Sequence, residues 1–253
     1  IELAADVLVE VLRMYPSFRY GNETLVQMMI PALSHLPFEQ ALRSDDEDVQ
    51  RAYCRVITEM GESYMSLILF PRENQGMHRD AASQLVGWIL RCSAIADHEI
   101  AGITLYFWYR MIAEMEQTEP YEWRQELIDT YTTHLLELIQ LCLSHLMRYP
   151  TDVGEYADDM MEDLQRHRFY VEETVQDICR LLGGNIVLER VGSTLRDEVQ
   201  KASGRHQADW QGIESCLACL AALHLFVPRD EAQVLPLCFH LIPQMPSNIT
   251  PLR

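Results

Sequence analysis

The sequence has 253 residues, of which 48% are hydrophobic and 23% are charged, so it can form a core and is not a wholly disordered chain. Its 38 acidic and 20 basic residues give a formal net charge of −18. This charge argues against binding to nucleic acid phosphates and favours a basic protein partner. The alternative is that the acidity only keeps a large surface soluble.

Apolar residues recur every three or four positions along most of the chain, which is the spacing of a buried helix face. In chain order the apolar stripes are Leu3, Val7, Val11 and Met14; Val49, Tyr53, Val56, Met60, Tyr64 and Leu67; Leu85, Ile89 and Cys92; Ile100, Ile103, Phe107, Met111 and Met115; Trp123, Leu127, Tyr131, Leu135, Leu138, Cys142 and Leu146; Val171, Val175, Ile178, Leu182 and Ile186; and Ile213, Leu217, Leu220 and His224. Runs that alternate with period two are scarce, so a multi-stranded sheet has little support. The sequence therefore predicts an all-α protein.

Capping residues indicate where the predicted helices begin and end. Asp97 and Asp230 fit N-caps, and Pro120 fits a first helical position. Gly183–Gly184 and Gly204 fit helix ends, whereas Pro236 lies inside a periodic run and should kink it. We expect about ten helices, starting near residues 2, 22, 46, 79, 97, 120, 160, 185, 207 and 230.

Taken in pairs, the predicted helices recur at roughly 45 to 60 residues, close to the HEAT and armadillo period of ~40–47. We therefore expect a HEAT-repeat solenoid, a right-handed α-α superhelix, with about five hairpins at residues 1–43, 46–94, 97–147, 158–200 and 207–243. A single closed helical bundle is the alternative. The pattern starts abruptly at Ile1, and a new segment begins near Asn248, so we expect the chain to be a piece of a longer protein.

The longest nearly uncharged apolar stretch, Cys216 to Pro228, is shorter than the ~20 residues that a membrane span needs. The odd number of cysteines, seven, and their positions on apolar stripes predict reduced thiols, as in cytosol or nucleus. The sequons at Asn22 and Asn248 are therefore interpreted as chance matches.

No motif predicts catalysis, a cofactor or a metal ion. Cys216 and Cys219 match C-x-x-C, but they lie within a predicted helix without a second ligand pair, so core packing is expected. Phosphate-binding glycine motifs are absent, and the only lysine is Lys201. Phe107, Trp108 and Tyr109 are expected to pack in the core or between repeats, and a ligand cage is the alternative. An all-helical enzyme would need a pocket with convergent titratable groups, and no such set is visible.

Two acidic runs stand out. Asp45, Asp46, Glu47 and Asp48 can cap a helix and complement its N-terminal charge. The second run is predicted to be a loop that docks a basic protein surface, with a solvated hairpin tip as the alternative. Its residues are Asp152, Glu155, Asp158, Asp159, Glu162 and Asp163.

Three segments carry a family resemblance. Residues 97–110, with the sequence DHEIAGITLYFWYR, resemble the segment that ends in the F-W-Y motif of the transportin-3/importin-13 subfamily of the importin-β superfamily, the karyopherins. Tyr53–Met60 (YCRVITEM) and Ser193–Arg196 (STLR) are similar to further segments of that subfamily, in the same order. The similarity in helix order and spacing extends over the whole chain.

The resemblance implies a nuclear import receptor that shuttles between cytoplasm and nucleus. Its implied partners are GTP-bound Ran, nucleoporins, and basic cargo such as splicing factors with arginine-serine-rich tails, without direct binding to nucleic acid or membrane. The arginine-rich helix that grips such tails in transportin-3 has no counterpart here, because the densest basic cluster is Arg166-His167-Arg168. The alternatives are an export receptor and a Ran-independent HEAT-repeat scaffold.

Overall fold

A computed structural model of the protein describes residues 1–16, 35–71, 79–203 and 210–244. In these ranges every regular element is helical and no β-strand forms. The α-helices are α1 (Glu2–Met14), α2 (Phe38–Leu42), α3 (Glu47–Ser63), α4 (Met65–Leu69), α5 (Arg79–Cys92), α6 (His98–Gly102), α7 (Leu105–Glu116), α8 (Tyr121–Leu141), α9 (Asp158–Leu182), α10 (Gly184–Ser203), α11 (Trp210–Ala222) and α12 (Val234–Leu241). A π-helical turn, Cys142–Leu146, continues α8, and short 3-10 turns cover Val153–Glu155 and Ile242–Gln244.

The predicted helix starts near residues 2, 46, 79, 97, 120, 160 and 185 are confirmed, since α1, α3, α5, α6, α8, α9 and α10 each begin within about two residues of them. The starts predicted near residues 22 and 207, the helix end at Gly204, and the sequons at Asn22 and Asn248 lie outside the described residues. None of the helices in the described ranges is long and apolar enough to cross a membrane.

The chain divides into two compact units, Ile1–His134 and Leu135–Arg253. In the first unit α3 is the central helix, because it packs against α1, α5, α6 and α7. The approach of α3 to its neighbours requires a glycine at position 61, since a Cβ atom there would lie 2.5 Å from Ile89 Cδ1 and 2.8 Å from Phe107 Cε2.

A buried polar cluster fixes the start of α7 in the first unit. The Trp108 indole N–H donates to Ser93 Oγ at 3.0 Å, and the Ser93 and Thr104 hydroxyls lie 2.7 Å apart. Phe107 and Trp108 are fully buried, whereas Tyr109 is exposed and stacks beside Tyr106. The predicted packing role is therefore confirmed for Phe107 and Trp108 but not for Tyr109.

In the second unit α9 and α10 are joined at Gly183, whose φ of 92° lies in the left-handed region that favours glycine. The predicted helix end at Gly183 is thereby confirmed. Helix α11 packs against both α9 and α10, and its Ser215 hydroxyl donates to the Leu143 carbonyl at 2.6 Å. Cys216 and Cys219 are buried in this core, and burial raises the pKa of the Cys216 thiol to about 12. Core packing of the C-x-x-C pair is confirmed.

Several hydrogen bonds between charged side chains on different helices join residues that lie 46 to 48 positions apart. In the first unit they include Arg13 with Glu59, Arg51 with Glu99, and Arg79 with Glu126; in the second unit Arg168 bonds Glu214. This separation is about the length of one HEAT or armadillo repeat of ~40–47 residues. These contacts agree with helices that pack against neighbours about one repeat along the chain.

The predicted buried face of α1 is wrong. Leu3, Val7 and Met14 are exposed, with Leu3 77% accessible, whereas Ala5, Val9 and Leu12 are buried. Helix α1 carries apolar residues on two faces, so periodicity alone could not select the face that α3 covers.

Two further predicted core residues, Trp123 and Ile186, are exposed, and each lies near the start of its helix. His224 is exposed as well. At these positions the apolar spacing of the sequence does not correspond to burial.

The start of the last helix also differs from the prediction. Helix α12 begins at Val234 with Gln233 at its N-cap, and Glu231, not Asp230, binds its first N–H groups: the Glu231 carboxylate accepts from the backbone N–H groups of Gln233, Val234 and Leu235 at 2.6 to 2.8 Å. Pro236 therefore lies in the first turn of α12 and produces no kink, since the first-turn N–H groups need no helical partner.

Candidate protein-binding surfaces

All six carboxylates of the second acidic run are exposed. The prediction that they lie in one loop is wrong: Asp152 precedes a 3-10 turn that ends at Glu155, and the other four lie in the first turns of α9. Asp163 forms an ion pair with Arg166 at 3.0 Å, on the solvent side of the helix. We call these six residues the acidic segment; they are Asp152, Glu155, Asp158, Asp159, Glu162 and Asp163.

Apolar side chains between these carboxylates hold the acidic segment in place. Val153 and Leu164 are buried together with Tyr149, and Tyr156 and Met161 pack against them. Because the apolar residues turn inwards, the intervening carboxylates point to solvent. The structure thus brings the six predicted residues onto one exposed stretch of the second unit.

The first acidic run has a structural role. Asp46 caps α3, since its carboxylate accepts from the N–H groups of Asp48 and Val49 at 3.1 and 3.3 Å. Glu47 and Asp48 lie in the first turn, where negative charge complements the helix dipole. Asp97 caps α6 in the same way, through the N–H of Ile100 at 2.8 Å, as the sequence predicts.

The basic cluster at residues 166–168 does not form a cationic surface. Arg168 is buried and makes a two-point contact with Glu214, at 2.6 and 3.1 Å, while also donating to the Met147 carbonyl. Its guanidinium lies 4.0 Å from the centre of the Tyr149 ring. Burial raises the pKa of Glu214, and the neighbouring Arg168 partly offsets that rise. Arg168 therefore joins two repeats and is not available to a ligand.

A groove of about 780 Å³, which the sequence did not predict, opens on the first unit between α4, α7 and α8. Its base is formed by Ile68, Leu127 and Tyr131, all buried. The Tyr131 hydroxyl donates to the Ile68 carbonyl at 2.7 Å and so ties α8 to α4. Burial raises the Tyr131 pKa, so this hydroxyl keeps its proton at neutral pH.

Two aromatic rings form the mouth of this groove. Phe70 and Trp123 are 37% and 56% accessible, and their ring centres lie 6.2 Å apart at an angle of 56°. Trp123 is the residue in the sequence that could have indicated this groove, but its periodic spacing predicted a core position. An apolar stripe cannot distinguish a core residue from one that covers a groove.

The charged lining of the groove is mainly acidic. Glu114, Glu119 and Glu126 contribute carboxylates, and the cation among the lining residues described is Arg79. Arg79 Nη2 lies 2.5 Å from Glu126 Oε1. The groove therefore combines exposed aromatic faces with excess negative charge.

Glu62 on α3 is a carboxyl with a strongly shifted pKa. Burial, followed by the nearby Glu59 charge, raises its pKa to about 7, although Arg110 and Arg13 act in the opposite direction. These charges come from α1, α3 and α7, so Glu62 lies where three helices of the first unit meet.

In the described part of the chain, no group of three or more His, Cys, Asp or Glu side chains could hold a metal ion.

Comparison with known proteins agrees with the fold. Residues 45–145 match the family model described as the transportin-3/importin-13 second TPR domain. A solved structure of importin-13 in its cytosolic state superposes with a TM-score of 0.80 at 15% sequence identity, covering 97% of this chain and 29% of that one. The fold class is therefore that of the all-α HEAT-repeat proteins, as the sequence predicted.

Similar sequences extend the match along the chain. Transportin MOS14 of Arabidopsis thaliana is 24% identical over 233 residues, which cover 88% of this chain and 24% of that protein. An uncharacterized protein of Schizosaccharomyces pombe is 27% identical over 238 residues, again 88% of this chain and 24% of the relative. The chain thus spans about a quarter of the length of these relatives. The chain is thus similar to members of the transportin-3/importin-13 subfamily of the importin-β superfamily.

Proposed function

We propose that this chain is the middle section of a nuclear import receptor that binds basic protein cargo and releases it when GTP-bound Ran binds. The observation that carries the proposal is the match of residues 45–145 to a domain of the transportin-3/importin-13 subfamily. The hairpins expected at residues 1–43, 46–94, 97–147, 158–200 and 207–243 then form one HEAT-repeat array within the longer receptor. The receptor shuttles between cytoplasm and nucleus and contacts nucleoporins on the way.

The cargo we propose is a basic protein, such as a splicing factor with an arginine-serine-rich tail. The net charge of −18 supports a basic partner, since opposite charges accelerate encounter and suppress wrong partners. The acidic segment is a second support, because its six carboxylates are exposed on a stretch that buried apolar residues hold in place. No covalent chemistry is needed for this function.

Release follows from negative coupling between two ligands. If Ran and cargo favour different arrangements of the repeats, each weakens the binding of the other by the same free energy. A coupling of 1–3 kcal/mol corresponds to a change in affinity of about 5- to 150-fold. Repeat proteins suit this mechanism, because small rotations at each hairpin interface add along the array.

The test measures retention of cargo by the receptor that contains this chain. The receptor is immobilised with an arginine-serine-rich domain as cargo, and hydrolysis-deficient Ran loaded with GTP is then added. Import predicts that cargo is released, and Ran loaded with GDP serves as the control. Equal retention with both forms of Ran would contradict the proposal in favour of a scaffold, and stronger retention with GTP would indicate an export receptor.

The contribution of the acidic segment is tested separately by charge neutralisation. Asp152→Asn, Glu155→Gln, Glu162→Gln and Asp163→Asn remove four charges but leave Asp158 and Asp159, which complement the α9 N-terminus. The matched control removes four exposed carboxylates elsewhere in the second unit, through Glu137→Gln, Glu173→Gln, Glu189→Gln and Asp197→Asn. We expect only the first variant to slow cargo association and to weaken its dependence on salt. Equal effects of the two variants would exclude a specific role for the segment.

A further inference from the structure

The groove on the first unit has the composition of a site for a cation. Indole faces attract cations, and Arg guanidinium groups stack on them more often than Lys ammonium groups do. Trp123 offers such a face at the mouth of the groove, more than half exposed and braced by Phe70. An exposed tryptophan beside a preformed apolar base indicates a surface that a partner covers.

The carboxylates around the groove define the charge of that partner. Glu114, Glu119 and Glu126 outnumber Arg79, so the lining carries a net negative charge. Carboxylates pair with guanidinium groups through two parallel hydrogen bonds, which adds geometry to the charge attraction. The same carboxylates repel phosphate groups, so a phosphorylated segment would be disfavoured.

Arg79 shows that a guanidinium fits at this edge of the groove. It reaches Glu126 at 2.5 Å, and it lies close enough to Tyr131 to lower the pKa of that hydroxyl against the larger effect of burial. Both Arg79 and Glu126 are more than half exposed, so their ion pair is weak and can be exchanged at little cost. An incoming arginine would replace Arg79 as the partner of Glu126.

We propose that this groove is a docking site for an extended, unphosphorylated peptide segment of a partner protein, in which one arginine stacks on Trp123 and pairs with Glu126 or Glu119. An apolar residue next to this arginine occupies the base above Leu127 and Tyr131. The proposal shares with the proposed function the expectation of a basic partner, but it does not depend on Ran. The two can therefore fail separately.

The test measures binding of three fluorescein-labelled nonapeptides to the chain by fluorescence anisotropy at near-physiological salt. One alternates arginine and leucine, the second alternates lysine and leucine, and the third alternates arginine and phosphoserine. We expect the arginine–leucine peptide to bind at least about five-fold more tightly than the lysine peptide. A guanidinium group stacks on an indole ring and forms two parallel hydrogen bonds with a carboxylate. We expect the phosphoserine peptide to bind most weakly. Tighter binding of the phosphoserine peptide would overturn the proposal.

Variants assign the binding to the groove. Trp123→Ala and the double variant Glu119→Gln/Glu126→Gln should each weaken binding of the arginine–leucine peptide about five-fold or more. Arg79→Ala should strengthen it, a gain that misfolding cannot imitate. The matched control is Tyr109→Ala, which removes an equally exposed aromatic ring outside the groove. Unchanged affinity in Trp123→Ala, or an equal loss in Tyr109→Ala, would overturn the proposal.

A further variant tests whether the occupant is the chain itself. Pro71 and Arg79 line the groove, and the segment between them, residues 72–78, lies outside the described residues. If the peptides bind only after residues 72–78 are replaced by a glycine–serine segment of equal length, the groove belongs to that segment and the proposal is wrong. Binding by the unaltered chain, lost in Trp123→Ala, supports it.

Discussion

Arg168 on α9 grips the carboxylate of Glu214 on α11 through two hydrogen bonds, 46 positions apart in sequence, with side chains only 8% and 13% accessible. The Tyr149 ring covers the guanidinium on one face. A buried ion pair of this kind contributes little to stability compared with an apolar pair of the same size. The loss of one partner, however, leaves an unpaired charge in the core. The pair joins α9 to α11 in the core of the second unit.

The first prediction follows from that asymmetry. Arg168→Met should lower the free energy of unfolding by about 3–5 kcal/mol, whereas Arg168→Met combined with Glu214→Leu should recover most of this loss. Urea denaturation followed by circular dichroism measures both. The control is Arg166→Ala, which removes an exposed pair with Asp163 and should cost no more than about 0.5–1 kcal/mol. A double variant as unstable as the single one would contradict the prediction.

The second prediction concerns the close approach at Gly61. An alanine Cβ there would overlap Ile89 and Phe107, so Gly61→Ala should destabilise the protein by about 1–3 kcal/mol despite the higher helix propensity of alanine. Gly154→Ala is the control, because no atom lies within 4 Å of the added Cβ. Thermal unfolding compares the two variants. If Gly61→Ala were as stable as the parent chain, the packing described for α3 would be incorrect.

The third prediction is a pH dependence centred on Glu62. Its pKa is about 7 in the folded protein and about 4.5 in the unfolded chain. Between these pH values the folded state binds more protons than the unfolded state, so the free energy of unfolding falls as the pH rises. Glu62→Gln removes the buried charge, so the variant should melt at a higher temperature than the parent at pH 8 and at nearly the same temperature at pH 4.5. Calorimetry across this range tests the expectation. The control is the exposed Glu137→Gln, measured at the same two pH values.

The fourth prediction concerns the polar cluster below α7. Ser93→Ala leaves the Trp108 indole N–H without its acceptor in a fully buried position, so it should cost about 1–3 kcal/mol. Ser144→Ala removes an exposed hydroxyl that bonds only its own helix, at the Gln140 carbonyl, and should be nearly neutral. Urea denaturation distinguishes them. Equal stabilities of the two variants would mean that Trp108 finds another acceptor.

Much of the fold could be predicted from local pattern. Stripes of apolar residues located the helices, and short side chains such as Asp46 and Asp97 marked their starts, because capping depends on atoms only two or three residues away. Where a cap comes from a longer side chain, as with Glu231 at α12, the sequence offered Asp230 instead. Distinguishing the two requires the path of the backbone.

The candidate surfaces were less predictable. The acidic segment could be listed from the sequence because exposed charge is a compositional property. The sequence placed all six residues in a loop, whereas four of them lie in α9. The groove was missed, since it depends on Trp123, Phe70 and Glu114, which are far apart in sequence and meet only when α4, α7 and α8 pack.

The sequence by itself determined the all-α class, most helix starts, the approximate repeat length and the family resemblance, because periodicity and short motifs need only neighbouring residues. Only the tertiary structure decided which face of each helix is buried, as at Leu3 and Leu12, and which charges are held inside, as at Arg168. The physical reason is that burial depends on what packs against a residue. In this chain several of those contacts join residues 46 to 48 positions apart, which no local pattern specifies.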